Sequence, residues 1–311
     1  MSRSGRIGVD LGGTKIEAVA LVDGKIVERQ RVATPQGDYE GTIDAIRDLV
    51  ASVAGDAELD ADCPVGVGTP GSVHRASGLH RNSNSTCLNG RPFEADLARA
   101  IPRPVRTAND ANCFALSEAV DGAAAGMSVV FGVILGTGVG GGVVIDGRVI
   151  DGRNGIGGEW GHMSMPLRGH DPSLAGRECY CGRVDCLEQY LCGPALEREY
   201  EQLAGRHRAL PEIVAGSAKD DLARQLIDRF HDRLAESLVT VVNMLDPDAI
   251  VIGGGVSNLD SIYEVVPGLL HPRVFGGVCD TPVLRNLHGD SSGVRGAAWL
   301  WPDTPADSSV A

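Results

Sequence analysis

The chain traces one path twice. The segment GVDLGGTKIEAVALVDGKIV, residues 8–27, aligns with GVILGTGVGGGVVIDGRVI, residues 132–150, with one residue of slippage. Each copy runs from an apolar strand through a glycine turn, a second strand and an Asp-Gly turn into a third strand. Asp23-Gly24 and Asp146-Gly147 mark two-residue hairpin loops, which need positive φ, and Asp-Gly adopts it cheaply. The repeat therefore predicts two related lobes, each opening with a β-meander. The 311 residues are enough for a full core in both, and the 42 glycines, about twice the usual share, call for tight turns.

Helices and short apolar strands alternate after each meander. Helical spacing of Ile43, Ile46, Leu49, Val50 and Val53 predicts a helix over 38–54, followed by short strands over 64–68 and 105–107 and a helix over 111–124. The stripe Leu222, Leu226, Phe230, Leu234, Leu238, Val241 and Leu245 predicts a long amphipathic helix over 220–245, which Asp246-Pro247 ends. A strand over 249–252, a glycine triplet, a helix from about 258 and a closing helix over 291–301 complete the chain, and the last ten residues read as a disordered tail. The alternation points to mostly parallel sheets covered by helices, with antiparallel strands added by each meander.

A formal charge of −13 argues against DNA, RNA or anionic lipid as partners, since all of these attract a basic face. A phosphate ligand must then be held locally, by backbone amides and a metal ion. The start MSRSGRIGVDLGG has no apolar signal-peptide core, so the protein is expected in the cytoplasm. Glycines interrupt the apolar stretch 127–145, which reads as two buried strands and a turn rather than a membrane span. The eight cysteines, in a chain of this size without an export signal, point to reduced thiols or a metal site.

Several segments carry residues suited to chemistry. In Asp10-Leu11-Gly12-Gly13-Thr14-Lys15 the glycines allow close backbone approach to a polyphosphate, Thr14 can donate to its oxygens, and Asp10 can hold hydrated Mg²⁺. The same residues would also serve as a plain hairpin turn. Gly136-Thr137-Gly138 and the triplet Gly253-Gly254-Gly255 add two more glycine turns, the latter at the carboxyl end of a strand where nucleotides commonly lie. Asp110, in Asn109-Asp110-Ala111-Asn112, is either a helix cap or a general base at the mouth of a cleft, with Asn109 gripping a neighbouring hydroxyl. Cys179, Cys181 and Cys186 offer three thiolates in a short loop, and His162, in GEWGH, is a candidate fourth ligand for a closed, structural zinc site; three free thiols are the alternative. Glu159 and Glu188 flank that loop and suit hydroxyl recognition, although Glu188 would also fit a solvated helix position, and Asn84 lies in a polar loop as either a turn or a ligand residue.

With these motifs assembled, the chain resembles the ROK family of sugar kinases, part of the actin-like, ribonuclease H-like ATPase superfamily. The resemblance runs from VDLGGTK through NDANC, LGTGVGGG, GEWGH, CYCGRVDCLE and VIGGGVSN to HGDSSGVRGAAWLWP. The runs ANDANCFALSEAVDGAAAG and LNGRPFEADL, with that ending, are most similar to the bacterial fructokinases (manno(fructo)kinases) of the family, and next to its N-acetylglucosamine kinases. It implies a two-lobed α/β fold with a central cleft: residues 1–108 with a returning C-terminal helix in 289–311, and a larger lobe over 109–288 that closes with the first on the sugar. It implies ATP contacts at Asp10, Gly12, Gly13, Thr14, Lys15, Gly136, Thr137, Gly138, Gly254 and Gly255, with Mg²⁺. It further implies Asp110 as catalytic base, sugar contacts from Asn84, Asn109, Asp110, Glu159, His162 and Glu188, and zinc on His162, Cys179, Cys181 and Cys186. The implied reaction is transfer of the γ-phosphate to the 6-hydroxyl of fructose or mannose, with N-acetylglucosamine or glucose as alternative acceptors and a homodimer as a common assembly. A sugar-sensing repressor of the same family would need a helix-turn-helix segment, for which the nine residues before Asp10 leave no room.

Overall fold

The structure, a computed structural model, describes residues 3–166 and 176–302, so the tail from residue 303 lies outside the described residues. Strands β1 (Arg6–Leu11), β2 (Lys15–Val22) and β3 (Lys25–Ala33) form the first meander, and β4 (Val65–Thr69) and a later strand, Val105–Asn109, extend its sheet on the parallel side. Helix α1 (Tyr39–Asp56) starts at Asp38, whose carboxylate accepts the Gly41 amide 3.0 Å away. A small hairpin of β5 (Ser72–His74) and β6 (Leu79–Arg81), helix α2 (Phe93–Ala100) and β7, the strand Val105–Asn109, complete the first lobe.

Helix α3 (Asp110–Val120) leads into the second meander: β8 (Val129–Leu135), β9 (Val139–Ile145) and β10 (Arg148–Val149). Four helices follow, α4 (Glu188–Leu191), α5 (Gly193–Ala204), α6 (Leu210–Gly216) and α7 (Asp221–Leu245), and then β11 (Ala249–Gly253), α8 (Ser261–Leu270), β12 (Val283–Arg285) and α9 (Ser292–Trp299). The sheet orders are β3-β2-β1-β4-β7 and β10-β9-β8-β11-β12. Within each, the meander is antiparallel and the last two strands are parallel to the first, so the repeat seen in the sequence is a repeat of topology. Asp23 and Gly24 have φ of 50° and 71°, Asp146 and Gly147 49° and 70°, as the hairpin reading required.

Three local expectations shift. The triplet at 253–255 opens a 3-10 turn, Gly255–Asn258, and α8 begins only at Ser261. Leu222 is exposed because the buried face of α7 runs through Ala223, Leu226, Ile227 and Phe230, and Leu222 points off it. The residue capping α3 is Asn109, whose side chain accepts from the Ala111 amide, and Asp110 is the first helical residue. Among the described residues no helix is long and apolar enough to cross a membrane.

Each lobe buries a core between its sheet and its outer helices, and a third core lies between the lobes, with Phe114, Ala115, Leu116 and Ala119 of α3, Ala298 and Trp299 of α9, and Val130, Val144 and Val251 of the second sheet. In it the two linking helices exchange partners. Helix α3 follows the first sheet but packs on β8 and β9, while α9 follows the second sheet and packs on β1 and β4. The contacts are backbone to backbone: a Cβ on Gly66 would be driven into the Ala297 carbonyl, and one on Gly296 into the Cys113 carbonyl of α3. We expect Gly296→Ala to cost about 3 kcal/mol or more, because backbone cannot step aside as a side chain can. Gly55→Ala, with nothing within 4 Å of its added Cβ, should be neutral or gain up to about 1 kcal/mol as a helical alanine. Urea unfolding of the two variants checks both signs.

Candidate active site

A cavity of about 1160 Å³ lies between the lobes. Asn84 comes from the loop after β6, Asn109 from the end of β7 and Asp110 from the head of α3; beyond them in the chain come Gly136, Thr137 and Gly138 in the β8–β9 turn, Glu159, His162 and Glu188. Residues 104 positions apart in the chain, from Asn84 to Glu188 by way of Asp110, thus face one space. The rims also touch: Arg75 pairs with Asp151 at 3.1 Å, and Arg81 donates to the Asn154 carbonyl.

Local bonding leaves these side chains unequal. The Asn109 amide donates to the Gly71 carbonyl at 3.0 Å while its oxygen accepts the Ala111 amide at 2.9 Å, so the residue holds the β7–α3 junction as well as facing the cavity. Asp110 accepts the Ala111 amide with one oxygen, at 2.8 Å. Burial, and next to it the charge of Glu159, pushes its carboxyl above the usual range, against the lowering effect of the Ala111 hydrogen bond. Glu159 is raised as well, by burial and by Glu188, with His162 acting against them. Asp10, at the end of β1, is raised to about 6 by burial, then by Asp110 and by Glu17 directly across the strand pair, with Lys15 opposing. Four carboxylates therefore repel one another in sequence around the cleft, an arrangement that a cation or a proton relieves.

The first glycine turn is braced from β3 and beyond: the Gly12 amide donates to the Lys15 carbonyl at 3.0 Å, and Thr34 and Gln36 donate to the Gly12 and Gly13 carbonyls. Asp10, Gly12, Gly13, Thr14, Lys15, Gly254 and Gly255 do not line the cavity itself. Gly254, at φ 83°, lies against the Leu135 carbonyl and the Gly136 amide, so that turn abuts the β8–β9 turn.

His162, Cys179, Cys181 and Cys186 place their ligand atoms within 4.8 Å of one another. Cys179 Sγ is 3.6 Å from His162 Nδ1, and Cys181 Sγ is 3.5 Å from Cys186 Sγ. Tetrahedral bonds of about 2.3 Å to sulfur and about 2.0 Å to nitrogen would set such atoms roughly 3.5–3.8 Å apart, so the donor set and its spacing fit zinc. Asp185 braces the loop from behind, accepting the Gly176 and Arg177 amides at 2.8 and 2.9 Å.

A family model described as the ROK family matches residues 6–304. The chain belongs to the ROK family. It is 40% identical over 301 residues to an N-acetyl-D-glucosamine kinase of Pectobacterium atrosepticum, covering 94% of this chain and 97% of that protein. Its fold superimposes on a ROK hexokinase from Thermus thermophilus with a TM-score of 0.84 at 31% identity, covering 95% and 97% of the two chains. It also superimposes on a ROK family glucokinase from Streptomyces griseus in complex with glucose and AMPPNP, with a TM-score of 0.74 at 30% identity and coverage of 96% and 99%. This ROK chain is a sugar kinase that uses ATP, with the fold expected from the sequence.

Sequence reasoning missed several residues in or behind the ROK chain's cavity. Tyr180 hydrogen-bonds His162 Nε2 at 2.9 Å, on the side of the ring away from the cysteines. Its position between two candidate ligands was a usable signal. Gly71 and Met163 carried none, since turn glycines and lone methionines are common. Glu17 could have been found from the pairing of β1 with β2, which sets it opposite Asp10.

The raised carboxyl of Asp10 has a consequence for stability. Its folded pKa of about 6 exceeds the ordinary 3.8, so the native state binds more protons than the unfolded chain between those values, and stability falls as pH rises through that window. Asp10→Asn removes the burden, and we expect it to raise the melting temperature at pH 8 and to make no difference near pH 4. Thermal melts of both proteins at the two pH values check this.

Proposed function

We propose that this ROK kinase phosphorylates the 6-hydroxyl of N-acetylglucosamine, with Asp110 as general base. The observation that carries the reaction is the position of Asp110: it heads α3 in a cavity that Asn84, Glu159, His162, Glu188 and the Gly136–Gly138 turn also line. A sugar held by the polar side chains would present its hydroxyl between this carboxylate and a nucleotide held by the glycine turns. Burial makes Asp110 a stronger proton acceptor than an exposed aspartate. As the 6-oxygen attacks the γ-phosphorus, its proton passes to Asp110, the bond to the β-phosphate oxygen breaks and ADP leaves. Mg²⁺, when bound with ATP, neutralises phosphate charge, and Asp10 is the carboxylate suited to hold it through water. Asn84, Asn109, Glu159 and Glu188 would orient the sugar hydroxyls, and His162 would do so while its Nδ1 side serves the metal. The lobes 1–108 with 289–311 and 109–288 are the units that would close; this division assigns α3 and α9 to the sheets on which they pack.

The acceptor differs from the fructose or mannose first expected. Identity of 40% to a kinase named for N-acetyl-D-glucosamine, over nearly the full length of both chains, supports that sugar over fructose. The fructokinase-like segments ANDANCFALSEAVDGAAAG and LNGRPFEADL are short by comparison. The zinc expected at His162, Cys179, Cys181 and Cys186 would be structural, fixing the His162 ring and the approach to Glu188, with no ligand position left for water.

A coupled ADP-release assay across N-acetylglucosamine, glucose, mannose and fructose should give the highest kcat/KM with N-acetylglucosamine; fructose first, or four equal values, would overturn the choice of acceptor. Asp110→Asn should lose on the order of a thousandfold in kcat with sugar binding nearly intact. Elemental analysis should find near-stoichiometric zinc, and Cys181→Ala should lose both the metal and heat resistance.

A further inference from the structure

The β8–β9 turn, Gly136-Thr137-Gly138, has little of its own to hold it in place. Two of its residues are glycines, and among the described residues only a turn bond from the Gly136 amide to the Gly138 carbonyl, 3.0 Å, closes it from within. What fixes it is the junction of α4 and α5. The Gly193 amide, at the start of α5, donates to the Gly136 carbonyl at 2.9 Å. At the other end of the turn the Val139 amide donates to Glu188 Oε2, the first residue of α4, at 3.0 Å. Glu188 is so close that a Cβ on Gly138 would lie 2.6 Å from the same oxygen. Glu188 also follows Cys186 by two residues, so the candidate metal loop and the turn are joined through this one side chain.

A carboxylate has about four acceptor positions on two oxygens. One oxygen of Glu188 is bonded to the turn, and among the described residues the other, Oε1, meets no protein donor, while the side chain lines the cavity. We propose that Glu188 is a positioning residue for the phosphate turn as well as a sugar contact, so that it couples the two subsites energetically. Sugar hydroxyls drawing on Oε1 and the Val139 amide drawing on Oε2 compete for, or jointly fix, one carboxylate orientation. Occupation of either subsite then changes affinity at the other, and the effect must be reciprocal. The inference rests on the kinase reading above, but its test does not need turnover.

Two cross-readouts decide it, each made with one ligand alone. Titration calorimetry of Glu188→Ala with ADP, without sugar, should show Kd raised on the order of tenfold, the loss expected of one charge-assisted hydrogen bond. Titration of Gly138→Ala with N-acetylglucosamine, without nucleotide, should show weaker sugar binding, because the added Cβ displaces Glu188. A residue acting on sugar alone would leave the ADP Kd of Glu188→Ala within twofold of wild type, which overturns the proposal. Should Glu188→Ala fail to fold, Gly138→Ala decides, and unchanged sugar affinity there overturns it equally. Absence of phosphorylation of any hexose by the wild-type enzyme would instead refute the kinase reading, and the ADP titration would still report on Glu188 and the turn.

Discussion

The close crossing of α3 and α9 is the contact on which the other features depend. Each helix leaves its own sheet and covers the other's, and the backbone of α9 at Gly296 lies against the Cys113 carbonyl of α3. Two sheets joined in this way share one core, and the head of α3 is delivered to the cavity beside it. Asp110 owes its place in the cleft to that exchange. Had each helix stayed on its parent sheet, the two lobes would have no common core, and the polar residues of one would not face those of the other.

Carboxylates at the two ends of α3 are treated in opposite ways. At its C-terminal end, buried Glu118 accepts the Ala123 amide at 2.9 Å, the Leu287 amide at 3.0 Å and the Ser292 hydroxyl at 2.7 Å. Asp121 beside it accepts from Trp299 and pairs with His288 and Arg295. These groups tie α3 to the segment leading into α9. At the N-terminal end Asp110 faces Asp10 and Glu159 with far less compensation, and burial raises its pKa. Buried charge without a partner is costly, and groups in that state mark sites of chemistry more often than sites of support.

The second lobe meets a similar need with buried ions. Arg233, fully buried on α7, pairs with Glu199 of α5 at 2.7 Å, and Arg177 joins the same carboxylate at 2.7 Å while donating to the Gln189 carbonyl of α4. Although burial pushes Glu199 upward, Arg233 and Arg177 hold it below the usual range. Breaking such a pair by removing one partner would strand a buried charge, so these groups tie α4 and α5 to α7. Those two helices supply Glu188 and the Gly193 amide to the β8–β9 turn.

Local chemistry decided much before any folding was considered. The Asp-Gly hairpins at 23–24 and 146–147, the stripe of α7 and the clustered cysteines are properties of short segments, and short segments appear in the sequence whole. The division into two lobes was legible for the same reason, since a repeat is a comparison of the chain with itself. The tertiary structure alone decided which sheet each linking helix would cover, that Asn109 and not Asp110 would cap α3, that Tyr180 would meet His162, and that Glu188 would hold the Val139 amide. These outcomes depend on how closely separate elements can approach, a quantity set by glycine positions on both partners together and by no window of sequence taken singly.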